Sequence, residues 1–201
     1  MVMTQTTALP CALGDNLVLR RAMPTDADAL ATFNGQMHAW PNPSDFNDSI
    51  AVWTRDLLRG NHPTTGPDDI LVVEDTAADK IAATTCLISQ TWSYGGVPFK
   101  VGRPELVATD PAYRRRGLIR RQFDVLHAWS AERGELAQAI TGIPWYYRQF
   151  GYEMTVELDG GRAGDEAALP KLGADDAERF RLREATAADL PFIASVDAHG
   201  A

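Results

Sequence analysis

The hydrophobic positions of this chain switch between the two-residue period of strands and the 3.6-residue period of helices. Leu17 to Arg20 predicts a short strand. A helix follows over residues 24–34, with Pro24 where proline is best tolerated, Asp26 in the first turn, and Leu30 and Phe33 facing the core. Residues 38–69 are irregular and punctuated by Pro41, Pro43, Pro63 and Pro67, but Ile50, Trp53 and Leu57 keep a helical spacing. Ile70 to Glu74 reads as a buried strand, Ile81 to Trp92 as a second and Val101 to Thr109 as a third. A hairpin turn at Tyr94-Gly95-Gly96-Val97-Pro98 joins the last two, and Asp110-Pro111 ends the third. Leu118, Ile119, Phe123, Leu126 and Trp129 give one apolar face to a helix over residues 117–133, stopped by Gly134. Leu136 to Ile143 predicts the next strand, Pro144 opens a short helix, and Tyr152 to Leu158 predicts a last strand.

This order predicts an α/β fold of the α+β layer type: a mixed, mostly antiparallel sheet flanked by helices. Residues 1–14 read as a leader, 15–160 as the domain and 161–178 as a polar, glycine-rich linker. Residues 180–197 then resemble residues 17–34 without gaps, Leu182, Arg183, Ala185, Asp189 and Ala194 matching Leu19, Arg20, Ala22, Asp26 and Ala31. Any strand followed by a capped helix gives some likeness of this kind. The sharper reading is that residues 179–201 start a second copy of the fold and leave it incomplete, which makes a homo-oligomer one way to cover its apolar side chains.

Composition narrows the function. The 201 residues carry a formal net charge of −8, which disfavours a nucleic-acid partner. No apolar run approaches the ~20 residues of a membrane span, and residues 1–10 lack signal-peptide features, so the expectation is a cytoplasmic protein with no membrane partner. The two cysteines read as a buried strand residue (Cys86) and a residue of the loose leader (Cys11), and the four scattered histidines predict no metal site. Against this acidic background Arg114, Arg115, Arg116, Arg120 and Arg121 crowd into eight residues. A small anion explains that run better than a long polyanion.

Glu105 to Arg121, ELVATDPAYRRRGLIRR, is a strand, a turn and the start of a helix. The first N–H groups of a helix lack intrahelical partners and carry partial positive charge, so they bind phosphate. Gly117 lets a pyrophosphate come close, and flanking arginines add charge-assisted bonds. A solvated basic face is the plain alternative. Arg114-Arg115-Arg116-Gly117-Leu118-Ile119 resembles the cofactor motif of the GNAT superfamily of N-acetyltransferases: Arg or Gln, two residues, Gly, one residue, then Gly or Ala. It departs at Ile119, where a small residue is usual. PAYRRRGLIR is closer to the enhanced-intracellular-survival (Eis) branch, where a bulky residue there is normal. The resemblance implies acetyl-CoA as co-substrate. Its pantetheine arm would pair with Val107, Ala108 and Thr109, and its pyrophosphate would be wrapped by Arg115, Arg116, Gly117, Leu118, Ile119 and Arg120, with Arg114 also binding the cofactor.

The segment WYYRQFGY resembles the GNAT pattern of Tyr, three residues, Gly, then Phe or Tyr, at Tyr147, Gly151 and Tyr152. By that match Tyr147 is the general acid that protonates the departing thiolate, whereas Tyr146 and Tyr147 could also both be core aromatics. Strand alternation puts Glu105 on the side of Val107 and Thr109. Several GNAT enzymes use a strand-borne glutamate there as the base; a solvent-facing glutamate is the plain alternative. The role of the carboxylate that Eis-like enzymes carry in a third domain is not carried over to any of these 201 residues.

The function expected is transfer of an acetyl group from acetyl-CoA to a primary amine of a small molecule or peptide. A catalytically degenerate acyl-CoA-binding or structural module of a tandem protein is the alternative. Asp45, Asp48, Asp56, Asp68 and Asp69, with Trp40, Phe46 and Trp53, would suit a cationic amine if they wall the acceptor cleft, and would otherwise form a solvated loop.

Overall fold

The computed structural model describes residues 8–39, 42, 44–143, 145–156, 173 and 183–200. Its contacts divide the chain into two units, Met1–Met154 and Thr155–Ala201.

The first unit is built on one sheet in which neighbours in sequence are neighbours in space, β1-β2-β3-β4-β5-β6. The strands are β1 (Cys11–Gly14), β2 (Leu17–Arg21), β3 (Ile70–Asp75), β4 (Lys80–Tyr94), β5 (Val97–Thr109) and β6 (Ala137–Gln138). Every pairing is antiparallel except β5 with β6. Helices α1 (Ala27–Met37) and α2 (Asp48–Leu58) precede β3, and α3 (Leu118–Glu132) follows β5.

Alternation along β3 divides the core in two. Leu71 and Val73 join Leu118, Val125, Leu126 and Trp129 of α3 in one buried cluster. Ile70 and Val72 join Leu30 of α1 and Leu57 and Leu58 of α2 in the other. Each helix thus covers one sheet face through the apolar stripe that its sequence spacing provides.

Three sequence expectations change. Cys11 and its neighbours are no loose leader: they form β1, an edge strand paired to β2, and Leu9 and Leu13 pack on the α3-side core. The strand expected over residues 136–143 shrinks to Ala137–Gln138, which pairs only with Val101 and Gly102. The strand expected from Tyr152 is absent through Val156, and Glu157 and Leu158 lie outside the described residues. Both segments have strand-like composition, but beyond Gly102 neither finds a backbone ladder among the described residues.

A side-chain clamp sets the angle between β2 and α1. Arg20 makes two bonds to the Asp26 carboxylate, at 2.7 and 3.0 Å, and one from its Nη1 to its neighbour's carbonyl at Arg21. The Met23 N–H donates to the same carboxylate at 2.7 Å. Glu74 on β3 closes the cluster at 2.6 Å from Arg20 Nε.

The second unit contains helix α4 (Leu190–Gly200) behind a turn of 3-10 helix, Ala187–Asp189. Arg183 makes two bonds to Asp189 at 2.7 and 2.5 Å, and Nη1 donates to the Glu184 carbonyl. The Thr186 N–H donates to Asp189 at 2.8 Å. Every one of these positions is 163 residues after its counterpart in the first clamp (183 less 20, 186 less 23, 189 less 26). The linker residues 161–172 and 174–178, and Phe180 to Leu182 of the repeat, lie outside the described residues.

Candidate functional site

The site starts from an irregularity in β5. Cys86 pairs with Glu105 but Thr84 pairs with Ala108, so β5 carries one extra residue against β4. Leu106 takes up this bulge at φ 53° and is buried in the core on the α1 and α2 side. The Glu105 carbonyl accepts bonds from the Thr85 hydroxyl at 3.1 Å and the Cys86 thiol at 3.5 Å. A bulge interrupts two-residue alternation, so alternation cannot carry the face of Glu105 across to Val107 and Thr109. On the side away from β4, β5 beyond Gly102 has no strand partner among the described residues. Val107, Ala108 and Thr109 therefore border an open groove.

The next wall is the start of α3. Arg115 and Gly117 both adopt positive φ, 64° and 73°, and Gly117 is the N-cap. Left-handed turns of this kind gather successive N–H groups into an anion-binding concavity. Arg121 N–H bonds the Gly117 carbonyl at 3.1 Å, which leaves the earlier N–H groups of the helix without intrahelical acceptors. Tyr113 anchors the loop: its hydroxyl donates to Asp75 at 2.7 Å, and Arg116 stacks over its ring at 5.2 Å.

The third wall is the 3-10 turn Tyr146–Phe150. It is held to α3 by aromatic packing, with Phe123 stacked on Phe150 at 4.6 Å and lying 6.0 Å from Tyr147. Arg120 donates to the Gln149 carbonyl at 3.3 Å and lies 5.1 Å over Phe150. Tyr152 donates to Gln138 on β6. Burial, with Tyr146 and the charge of Glu105 adding to it, pushes the Tyr147 phenol up to about 12.

Gly142 is where the incoming loop passes the Tyr147 ring, and a Cβ there would overlap ring atoms. Gly142→Ala is expected to destabilise the protein by about 1–3 kcal/mol, the usual cost of overpacking. Urea unfolding monitored at the tyrosines measures this, and an unchanged midpoint would show that the ring has room to yield.

Together these walls enclose a groove of about 680 Å³. Of the residues that the sequence pointed to, Val107, Ala108, Thr109, Arg114, Arg115, Gly117, Leu118, Ile119, Arg120 and Tyr147 line it. Arg116 is not on its wall and lies over Tyr113 instead. Glu105 also lies off the wall, where its carboxylate pairs with Arg103. Burial raises the proton affinity of Glu105, opposed by the charge and hydrogen bond of Arg103 and, less strongly, by Thr141. Sequence reading missed Met37, Tyr113, Ile143, Gln149 and Phe150 as lining residues. Two of these carried a signal: Tyr113, an aromatic directly before the arginine run, and Phe150, within the WYYRQFGY segment.

Three of the five acids in the segment have partners of their own. Asp69 pairs with Arg133 at 2.5 Å, Asp56 with Arg59 at 3.1 Å, and the Asp45 carboxylate accepts from Asn42. Phe46 lies against Gly35 of α1, and Trp53 packs on the core. Trp40 lies outside the described residues.

A family model described as an acetyltransferase (GNAT) domain matches residues 23–155, more than half of the 201-residue chain. No curated protein matches the sequence significantly. Among solved structures, glucosamine-6-phosphate N-acetyltransferase from Arabidopsis thaliana is similar at 16% identity and a TM-score of 0.53, covering 74% of this chain and 99% of that one. A predicted acetyltransferase from Clostridium acetobutylicum, solved with acetyl-CoA, has 18% identity and a TM-score of 0.55 over 71% of this chain and 96% of that one. The aminoglycoside N-acetyltransferase AAC(6')-Iy, solved with CoA, has 14% identity and a TM-score of 0.54 over 78% and 99%. These likenesses show the fold. The chain belongs to the GNAT acetyltransferase family, and the mixed sheet between helices is the fold of that family.

Proposed function

We propose that the protein transfers an acetyl group from acetyl-CoA to a primary amine by direct attack. The observation that carries this reading is the continuity of one groove from the free edge of β5, past the N-terminus of α3, to the Tyr147 ring. The residues present fit a CoA-type co-substrate. The Thr109 hydroxyl oxygen is buried without a hydrogen-bond partner, and the α3 amides with Arg114 and Arg115 supply positive charge for a pyrophosphate. In the reaction the amine nitrogen bonds to the acetyl carbon and the carbon–sulfur bond breaks. Glu105 takes the amine proton, and Tyr147 donates to the departing sulfur. Amino sugars are a reasonable first class of acceptor, because the two solved relatives named for a substrate act on glucosamine-6-phosphate and on aminoglycosides. Release of CoA thiol, measured over a panel of amines, tests the proposal. Amine-dependent release supports it, whereas acetyl-CoA binding without turnover across the panel would overturn it.

A second proposal concerns the second unit: residues 179–201 open another copy of the GNAT-like fold. The repeated clamp supports this, as do Leu190, Phe192, Ile193 and Val196, which are exposed on α4. At the same offset Ile193 and Val196 correspond to Leu30 and Phe33, both buried in the first unit. Ordering such a segment costs about 1–2 kcal/mol per residue, which an apolar surface buried against it would offset. Deleting residues 179–201 is expected to leave acetyl-CoA binding and its thermal signature intact while changing solubility or association, as read by light scattering. Unfolding of the first unit on deletion would defeat the repeat reading.

A further inference from the structure

A carboxylate that accepts a proton from an amine must be charged before the amine arrives. Glu105 is poorly placed to be so by itself, since its side chain is only 14% exposed. Arg103, two residues earlier on β5, is its ion-pair partner. Thr141 also favours the charged form of the carboxylate. The next residue along, Gly142, lies against the ring of Tyr147. The bulge begins immediately after Glu105, and Thr85 and Cys86 fix its carbonyl. Arg103 and Glu105 thus lie beside the Thr141–Gly142 segment, which passes the Tyr147 ring on the groove wall.

Resting on the reading of Glu105 as the base, we propose that Arg103 is a positioning residue for the acceptor's proton: it holds Glu105 ionised and aimed toward the space beside Tyr147. Two titratable neighbours of Glu105 carry no charge at working pH. The Tyr147 phenol and the Cys86 thiol are both raised by burial, and the charge of Glu105 raises each further. Asp69, the next acid in this neighbourhood, is paired with Arg133. Among the described residues Arg103 is therefore the cation that counters burial at Glu105. Without it, a buried carboxylate would keep its proton to higher pH.

The test is the pH dependence of kcat/KM for one fixed amine in wild type, Arg103→Gln, Arg103→Met and Glu105→Gln, with the dissociation constant for acetyl-CoA measured alongside. Both Arg103 variants are expected to move the acidic limb upward by about one to three pH units, the range an adjacent opposite charge controls. Activity should recover toward wild type above the displaced limb, and acetyl-CoA affinity should stay within about twofold, since Arg103 does not line the groove. Two variants are used so that one folded protein suffices. Glu105→Gln is expected to remove that limb and lower kcat/KM at every pH. If the Arg103 profiles superimpose on wild type while Glu105→Gln is impaired, the role of Arg103 is overturned and the base reading stands. If Glu105→Gln keeps the wild-type profile, the base reading falls, and this proposal falls with it.

Discussion

Tyr147→Phe is expected to lower kcat by about 10²–10⁴-fold, the range of a positioned general acid, and to leave acetyl-CoA affinity within about twofold. The ring keeps its contacts with Phe123 and Gly142, so only the hydroxyl is lost. The free energy should therefore appear at the step where the carbon–sulfur bond breaks, and hence in kcat. In the proposed role the phenol must be protonated, so it would fail as pH rises through its own value. With that value pushed up to about 12, no loss of rate from this group is expected over the ordinary alkaline range. Tyr146→Phe is the control for register, since Tyr146 stands edge-on 5.0 Å from Tyr147 and also lines the groove. Full activity in Tyr147→Phe together with an inactive Tyr146→Phe would assign the acid to the neighbouring position.

If acetyl-CoA binds as proposed it raises the melting temperature; Gly117→Asp is expected to abolish that rise and Gly117→Asn to keep most of it. Ligand at a hundredfold excess over its dissociation constant stabilises by about 2.7 kcal/mol, or several degrees at roughly 2–4 °C per kcal/mol for a chain of this size. Both substitutions meet the same left-handed backbone, at φ 73°, which Asp and Asn tolerate better than most residues. A Cβ there has no atom within 4 Å, so packing does not separate the two. They differ in one negative charge placed where the pyrophosphate is proposed to lie. A wild-type shift in Gly117→Asp would move the phosphate site elsewhere.

The parts of this molecule that are readable in the sequence are those whose signals are local. The arginine run, Gly117 and the apolar stripe of α3 sit within sixteen residues of one another, and the structure places that helix at Leu118–Glu132, within a residue of its expected ends. The hairpin at Gly95-Gly96 is likewise set by its own two residues. Other features depend on partners far along the chain. Four residues from Cys11 to Gly14 carry little alternation, and only pairing with β2 makes them a strand. The bulge gives no warning, because Leu106 takes a positive φ where no glycine or asparagine marks it. Leu136 to Ile143 has the composition of a strand, but β5 offers it only Val101 and Gly102 to pair with. The bulge is thus what sequence alternation misjudged at Glu105 and what borders the groove at Val107.

The Arg20–Asp26 clamp has a bearing on the order of assembly. Its partners are six residues apart, so closing it costs little chain entropy compared with β2–β3 pairing, where Arg20 opposes Val72. A contact of such low sequence separation can form while the rest of the chain is still diffusing, and chains rich in local contacts fold fastest. The clamp is thus a contact that the segment can close from within, relating a strand, a turn and a helix through residues only six apart. Arg183 and Asp189 reproduce it without a Glu74 equivalent among the described residues. The bonds of the clamp itself lie within one short segment, so duplication can copy them intact, whereas the apolar face of the helix still needs a surface to bury against.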